Sequence, residues 1–393
     1  MNQPAADPDG AGAGQDRPAR AAWRSGDPIG HRQFASLFAD EPLECEAGGS
    51  LGSIQVAYQT WGEPDQTGAN AILVLHALTG DSHAAGPAGP GHPQPGWWDG
   101  LIGPGKAIDS SRWFVVCPNV LGGCQGTTGP SSSGPGGLPY GARFPRITIR
   151  DQVAAERALA DVLGIERWAA VVGGSMGGMR ALEWAVSFPD RVAAAILVAT
   201  SAAASAEQIA LCALQIGAVR LDPDFHGGDY YDAPSGAGPY AGLGLARRLG
   251  HLSYRSEFEL AERFGRRPQS DEDPLRGGRY AVESYLDHHA DKLVRRFDAN
   301  SYIVLSEAMN HHDVGRDRGG VARALGNVTA DVTVVGIDSD RLYPLRLQAE
   351  LAAHLPARPD VVVVASAHGH DGFLIESQQV GQAVAGALAR VEV

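Results

Sequence analysis

The side chains best suited to carry chemistry are one serine wrapped in glycines, two closely spaced acids and two closely spaced histidines. Val171-Val172-Gly173-Gly174-Ser175-Met176-Gly177-Gly178 is an apolar run that ends in glycines around Ser175. It has the G-x-S-x-G spacing of a nucleophile elbow, in which a strand turns sharply into a helix and leaves the serine hydroxyl exposed. Glycines two residues either side of the serine are required because a side chain there would collide with the neighbouring strand and helix. A serine hydroxyl is a poor nucleophile at neutral pH, so a histidine must take its proton and a carboxylate must hold the imidazole in the right tautomer. In chain order, an oxyanion loop comes before such a serine, and an acid and then a histidine come after it. Ile337-Asp338-Ser339-Asp340 offers two acids, and Ala367-His368-Gly369-His370-Asp371-Gly372-Phe373 offers two histidines. Order and position fit, but spacing does not choose within either pair. The anionic intermediate needs N–H donors, expected from Leu78 and Met176.

The elements that must position these groups are legible as an alternation of strands and helices. The apolar run at 71–75 reads as a central strand buried on both faces, 113–118 and 168–173 as further strands and 191–199 as another buried one, and 332–337 and 361–364 resume the pattern. Upstream, 43–46 and 53–62 alternate with period two across Gly48-Gly49, which predicts an antiparallel hairpin between them. Helical spacing covers 149–163, 177–187, 345–355 and 379–391, and Gly164 stands where a helix-ending glycine belongs. Between 201 and 325 strand signals stop and helices at 207–219, 243–254, 280–296 and 301–310 take over. The expected fold class is α/β, a mostly parallel sheet flanked by helices, with an inserted helical lid domain. The expected divisions are a disordered tail over 1–27, core over 28–200, lid over 201–325 and core again over 326–393. The loop 119–130 is long for a plain connector and reads as functional.

Bulk properties exclude several function classes. A net charge of −13 argues against nucleic acid or an anionic membrane surface as a partner. The 1–27 segment lacks the apolar core of a signal peptide, and the stretch 193–206 is too short and too polar to span a membrane. Cys45, Cys117, Cys124 and Cys212 form no C-x-x-C pair, so a reduced, cytoplasmic protein without a metal is expected. His288-His289 and His311-His312 are neighbours along helices, where adjacent side chains diverge by about 100°, and read as surface or interface.

Five stretches together resemble the homoserine O-acetyltransferase family of methionine biosynthesis, within the α/β-hydrolase superfamily and of the actinobacterial type. They are His76-Ala77-Leu78-Thr79-Gly80, the loop from Asn119 to Pro130, Gly173 to Trp184, Ser339-Asp340-Arg341-Leu342-Tyr343-Pro344 and Gly369-His370-Asp371-Gly372-Phe373-Leu374. The resemblance runs from about residue 42 to the C-terminus. It implies that the acid is Asp340 and the base His370. It also implies that Arg247 and Tyr254 reach the substrate from the lid, that Asp371 meets its ammonium group, and that Thr79 belongs to the substrate-binding set. An arginine fork suits an amino acid's carboxylate. One departure is His289-Ala290-Asp291-Lys292, where family members often carry Gln-Gly-Asp-Lys.

By the same resemblance, Ser175 takes the acetyl group of acetyl-CoA and L-homoserine's γ-hydroxyl then removes it, with no cofactor beyond that co-substrate. The family also implies a homodimer through the lid helices. Rival readings are succinyl transfer, serine as acceptor, or an esterase using the same triad.

Overall fold

Strands that are apolar at every position need cover on both faces, and the alternation of their side chains shows what supplies it. The computed structural model describes residues 21–391. In chain order the first half holds β1 (Gln33–Leu37), β2 (Leu43–Glu44), β3 (Ser50–Leu51), β4 (Ile54–Trp61), β5 (Ala71–Leu75) and β6 (Phe114–Pro118). Then come α1 (Ile149–Val162), β7 (Trp168–Gly174), α2 (Met176–Ser187) and β8 (Val192–Val198). After these lie α3 (Ala206–Arg220), α4 (Tyr240–Tyr254), α5 (Glu257–Arg263), α6 (Ala281–Val294), α7 (Ala299–Asn310) and α8 (Val321–Gly326). The chain closes with β9 (Asp331–Ile337), α9 (Leu345–His354), β10 (Val362–Val364), α10 (Gly372–Ile375) and α11 (Ser377–Leu388).

Eight strands form one sheet in the order β1-β4-β6-β5-β7-β8-β9-β10. The β1/β4 and β4/β6 junctions are antiparallel and the rest are parallel. Leu73, Val171, Leu197 and Val334 pack with Leu159 of α1, Leu182 of α2 and Leu351 of α9 on one face. Their neighbours Ile72, Val172, Ile196 and Val335 pack with Val380 and Val384 of α11 on the other. Each such side chain contributes about 1.5–3 kcal/mol by leaving water. The helix leading into the elbow strand starts at a capping box: Asp151 accepts from the Thr148 N–H at 2.7 Å while the Thr148 hydroxyl accepts from Arg150 at 3.2 Å.

Helices α3, α4, α6 and α7 pack on one another through Ile216, Val219, Leu243, Leu293 and Tyr302. The same cluster takes in Leu78, Met176 and Tyr343, so this insertion sits on the carboxyl ends of the central strands.

Three expectations need correction. β2 pairs with β3 in a separate two-stranded piece, and β4 pairs instead with β1, a strand the sequence did not announce. Residues 1–20 of the expected tail lie outside the described residues, but 21–27 are not loose. Ala22 is buried in the insertion's cluster and the Trp23 N–H donates to the Cys124 carbonyl at 2.9 Å. The indole of Trp23 lies 5.1 Å from the Phe34 ring, which gives the segment an apolar contact. Finally, α8 was placed in the lid, yet Ala324 and Leu325 are buried with Leu351 in the sheet's own core.

Candidate active site

β7 ends at Gly174, and Ser175 then adopts φ 57° and ψ −123° before α2 begins at Met176. Such a backbone is costly for a residue with a side chain and persists only where its surroundings impose it. Here the Ser175 N–H is held by the Val198 carbonyl of β8 at 3.0 Å. A methyl group on Gly177 would lie 2.0 Å from the Leu75 carbonyl oxygen, and one on Gly173 would lie 2.3 Å from the Gly177 carbonyl. No side chain fits at either place, which is the physical content of the motif.

The Ser175 hydroxyl donates to His370 Nε2 at 2.9 Å, and His370 Nδ1–H donates to Asp340 Oδ2 at 2.6 Å. Asp340 is aimed by its other oxygen, which accepts the N–H groups of Leu342 at 2.9 Å and Tyr343 at 2.8 Å. The Tyr343 ring stacks on the imidazole at 5.0 Å, and Phe373 meets it at 5.3 Å. Asp338 is exposed and accepts from the Ser366 N–H, while His368 lies 3.2 Å from Glu259. Geometry therefore chooses Asp340 and His370 from the two pairs that spacing left open.

Burial alone would lower the His370 pKa, but the charge and hydrogen bond of Asp340, with Asp371 nearby, outweigh it and raise it above the ordinary 6.5. Acting as a base, His370 must be neutral to accept a proton, so activity is expected to fall as pH drops through the raised value. The acid limb of the acylation rate against pH is expected to have its midpoint above 6.5. A stopped-flow profile with a midpoint below it would contradict this electrostatic balance.

Ser175 opens into a cavity of about 200 Å³ that Leu78, Thr79, Arg247, Tyr254, His370 and Asp371 help to line. Met176 is the first residue of α2, so its N–H has no acceptor within the helix. Among the described residues, no hydrogen bond occupies the Leu78 N–H. The Arg247 guanidinium lies 5.7 Å from the Tyr254 ring centre, and burial pushes the Tyr254 hydroxyl up to about 12. Asp371 is raised by burial, with Arg255, Arg247 and His370 pulling the other way, and its Oδ2 sits 3.2 Å from Arg255 Nη2.

Sequence reasoning missed Arg296, which lines the cavity and donates from Nη1 to the Thr79 carbonyl at 2.8 Å. It also gave no role to Arg255 or to Tyr343. Trp97 lines the cavity, whereas Trp98 is buried and donates to the Phe373 carbonyl at 3.2 Å. Burial pushes the Cys124 thiol up to about 12, which suits packing and not attack. His289 stacks on His251 with ring centres 3.9 Å apart. Among the described residues no group of three or more His, Cys, Asp or Glu side chains converges so as to hold a metal ion. Nor is any helix there long and apolar enough to cross a membrane.

Residues 70–376 match the family model of the alpha/beta hydrolase fold. The chain is 61% identical over 373 residues to a homoserine O-acetyltransferase of Thermobifida fusca, covering 95% of this chain and 98% of that protein. The crystal structure of homoserine O-acetyltransferase from Bacillus anthracis superposes with a TM-score of 0.83 at 30% identity, over 92% of this chain and 98% of that one. The esterase E22 superposes with a TM-score of 0.82 at 27% identity, over 91% of this chain and 99% of that one.

Proposed function

Because the chain belongs to the homoserine O-acetyltransferase family of the α/β hydrolase fold, we propose that this acyltransferase moves acetyl from acetyl-CoA to the γ-hydroxyl of L-homoserine. The product, O-acetyl-L-homoserine, leads toward methionine. The observation that carries the reading is the Ser175–His370–Asp340 relay at 2.9 and 2.6 Å beneath a helical insertion. In the first half-reaction His370 Nε2 takes the Ser175 proton as Oγ attacks the thioester carbonyl. The oxyanion is received by the Leu78 and Met176 N–H groups, and the departing CoA sulfur takes the proton from His370. In the second, His370 removes the proton of the acceptor's γ-hydroxyl, that oxygen attacks the acetyl ester, and Ser175 is regenerated with its proton.

No cofactor is required beyond the co-substrate. Arg247 pairs with the acceptor's carboxylate, Asp371 with its ammonium, and Tyr254 and Thr79 complete the wall. The insertion acts as a lid that excludes water, the competing nucleophile. The enzyme works in the cytoplasm as a homodimer through that insertion. Support for the dimer comes from the exposed apolar side chains Ile209 and Leu214 of α3 and Leu245 and Leu252 of α4.

The likeness to an esterase favours one second reading, hydrolysis of simple acetyl esters. Intact-protein and peptide mass spectrometry after acetyl-CoA alone is expected to place one acetyl group on Ser175, discharged on adding L-homoserine. An adduct elsewhere, discharge by L-serine alone, or hydrolysis of p-nitrophenyl acetate as fast as homoserine is acetylated would overturn the assignment.

A further inference from the structure

The loop that carries the Leu78 N–H has an unusual support. His76 is buried, its Nε2 lies 3.0 Å from the Val120 N–H, and its Nδ1 lies 2.8 Å from the Ala77 carbonyl oxygen. A backbone N–H can only donate and a carbonyl can only accept, so these partners admit a single state of the ring, neutral with its proton on Nδ1. Burial, and then the charge of Arg180, push its pKa down to about 3, so the ring stays in that state across the working range of pH.

The Ala77 carbonyl also accepts the Gly80 N–H at 2.9 Å. It shares a peptide plane with the Leu78 N–H, and no peptide in the described chain is cis. In a planar trans peptide the two bonds point opposite ways, so holding the carbonyl against the ring turns the N–H away from it. The preceding carbonyl, that of His76 itself, is gripped at 2.6 Å by Nη2 of Arg180, a fully buried residue of the elbow helix α2. Arg180 is braced in turn by Glu156 of α1 at 2.6 Å, whose other oxygen accepts from Trp184 at 2.8 Å. The first two peptides after β5 are thereby referenced to the helix that starts at the nucleophile.

We propose that His76 is a positioning residue for the oxyanion site: its ring, held in one tautomer by Val120, sets the peptide plane that presents the Leu78 N–H. It acts through Leu78 and touches no reacting atom. The fit is close, since a methyl group on Gly80 would lie 2.8 Å from His76 Cβ and 3.2 Å from Nδ1.

The proposal rests on Leu78 serving as an oxyanion donor, as in the reading above, but its test need not assume the natural acyl donor. Pre-steady-state acylation by p-nitrophenyl acetate uses the same serine and oxyanion site whichever thioester is natural. If the acetyl-CoA reading fails, wild-type protein alone reveals that, and the His76 comparison stands. Asparagine places an amide N–H near the Nδ1 position and can still donate to Ala77. Glutamine reaches the Nε2 position and can accept from Val120, but gives Ala77 nothing. H76N is expected to acylate within about tenfold of wild type, and H76Q about 10²-fold more slowly, the scale of losing one oxyanion donor. KM for the ester should change little in both, with rates counted per serine titrated by a fluorophosphonate. Equal losses in H76N and H76Q, or a loss confined to KM, would overturn the proposal. If neither variant folds, G80A retains every polar group while displacing the ring, and unchanged acylation in G80A would refute the idea.

Discussion

Ser175→Ala is expected to lower turnover by about 10⁶-fold and to leave no acetylated protein, because the group removed is the one that the proposed mechanism makes covalent. The substitution adds no atoms, so the φ of 57° that the elbow imposes is no harder for alanine than for serine. The bond from residue 175 N–H to the Val198 carbonyl remains, and so do Gly173 and Gly177, which the turn needs. A wild-type melting temperature is therefore expected. The cavity and both N–H donors also remain, so acetyl-CoA should still bind with its affinity little changed when measured by calorimetry. A thiol also lines the cavity, that of Cys212, but burial pushes it up to about 11 and keeps it protonated. Acetyl on Cys212, or turnover within tenfold of wild type, would remove Ser175 from the role.

How far this site could be read without coordinates differs from residue to residue. Ser175 was legible because its glycines answer to a local steric rule, and the distances of 2.0 and 2.3 Å from hypothetical side chains to backbone are that rule at work. Asp338 and Asp340 were not separable, since residues two apart at a strand's end share a face. They diverge only because the chain turns after β9 and the N–H groups of Leu342 and Tyr343 capture Asp340. That choice came from family resemblance, and its physical cause is three-dimensional. β1 was missed because five residues carry little pattern, and its partner in β4 is fixed by register and not by local propensity. A lone tryptophan in an otherwise small and polar tail was the available signal that residues 21–27 would find a surface. Arg296 had no such signal. It stands beside Arg295 just beyond the end of α6, and only the folded chain shows which of the two meets Thr79. His76 was visible as part of a motif, but its role depends on partners at Val120 and Arg180, far along the chain.

Asp340→Asn is the second large effect expected, about a 10⁴-fold fall in turnover near neutral pH with folding preserved. The size follows from which way the new amide must face. The oxygen of residue 340 that accepts from Leu342 and Tyr343 is held by two N–H donors, and an NH₂ group there would oppose both. The amide therefore keeps its oxygen toward them and turns its NH₂ toward His370 Nδ1, where the carboxylate oxygen now sits at 2.6 Å. A donor facing Nδ1 makes that nitrogen an acceptor and moves the ring's proton to Nε2. Nε2 then meets the Ser175 hydroxyl as a donor at the 2.9 Å contact where it should be accepting, and the serine loses its base. The stacking of Tyr343 and the edge contact of Phe373 on the ring are unaffected, so the imidazole stays in place with the wrong proton. Asp338→Asn is the matched control: that carboxylate is exposed and only receives the Ser366 N–H, so acylation should be unchanged. Steady-state kinetics on the two variants, with proton NMR of the imidazole N–H to report the tautomer, separates this account from simple loss of charge. Equal losses in the two variants, or a D340N enzyme whose proton is still on Nδ1, would mean that Asp340 does not set the tautomer of the base.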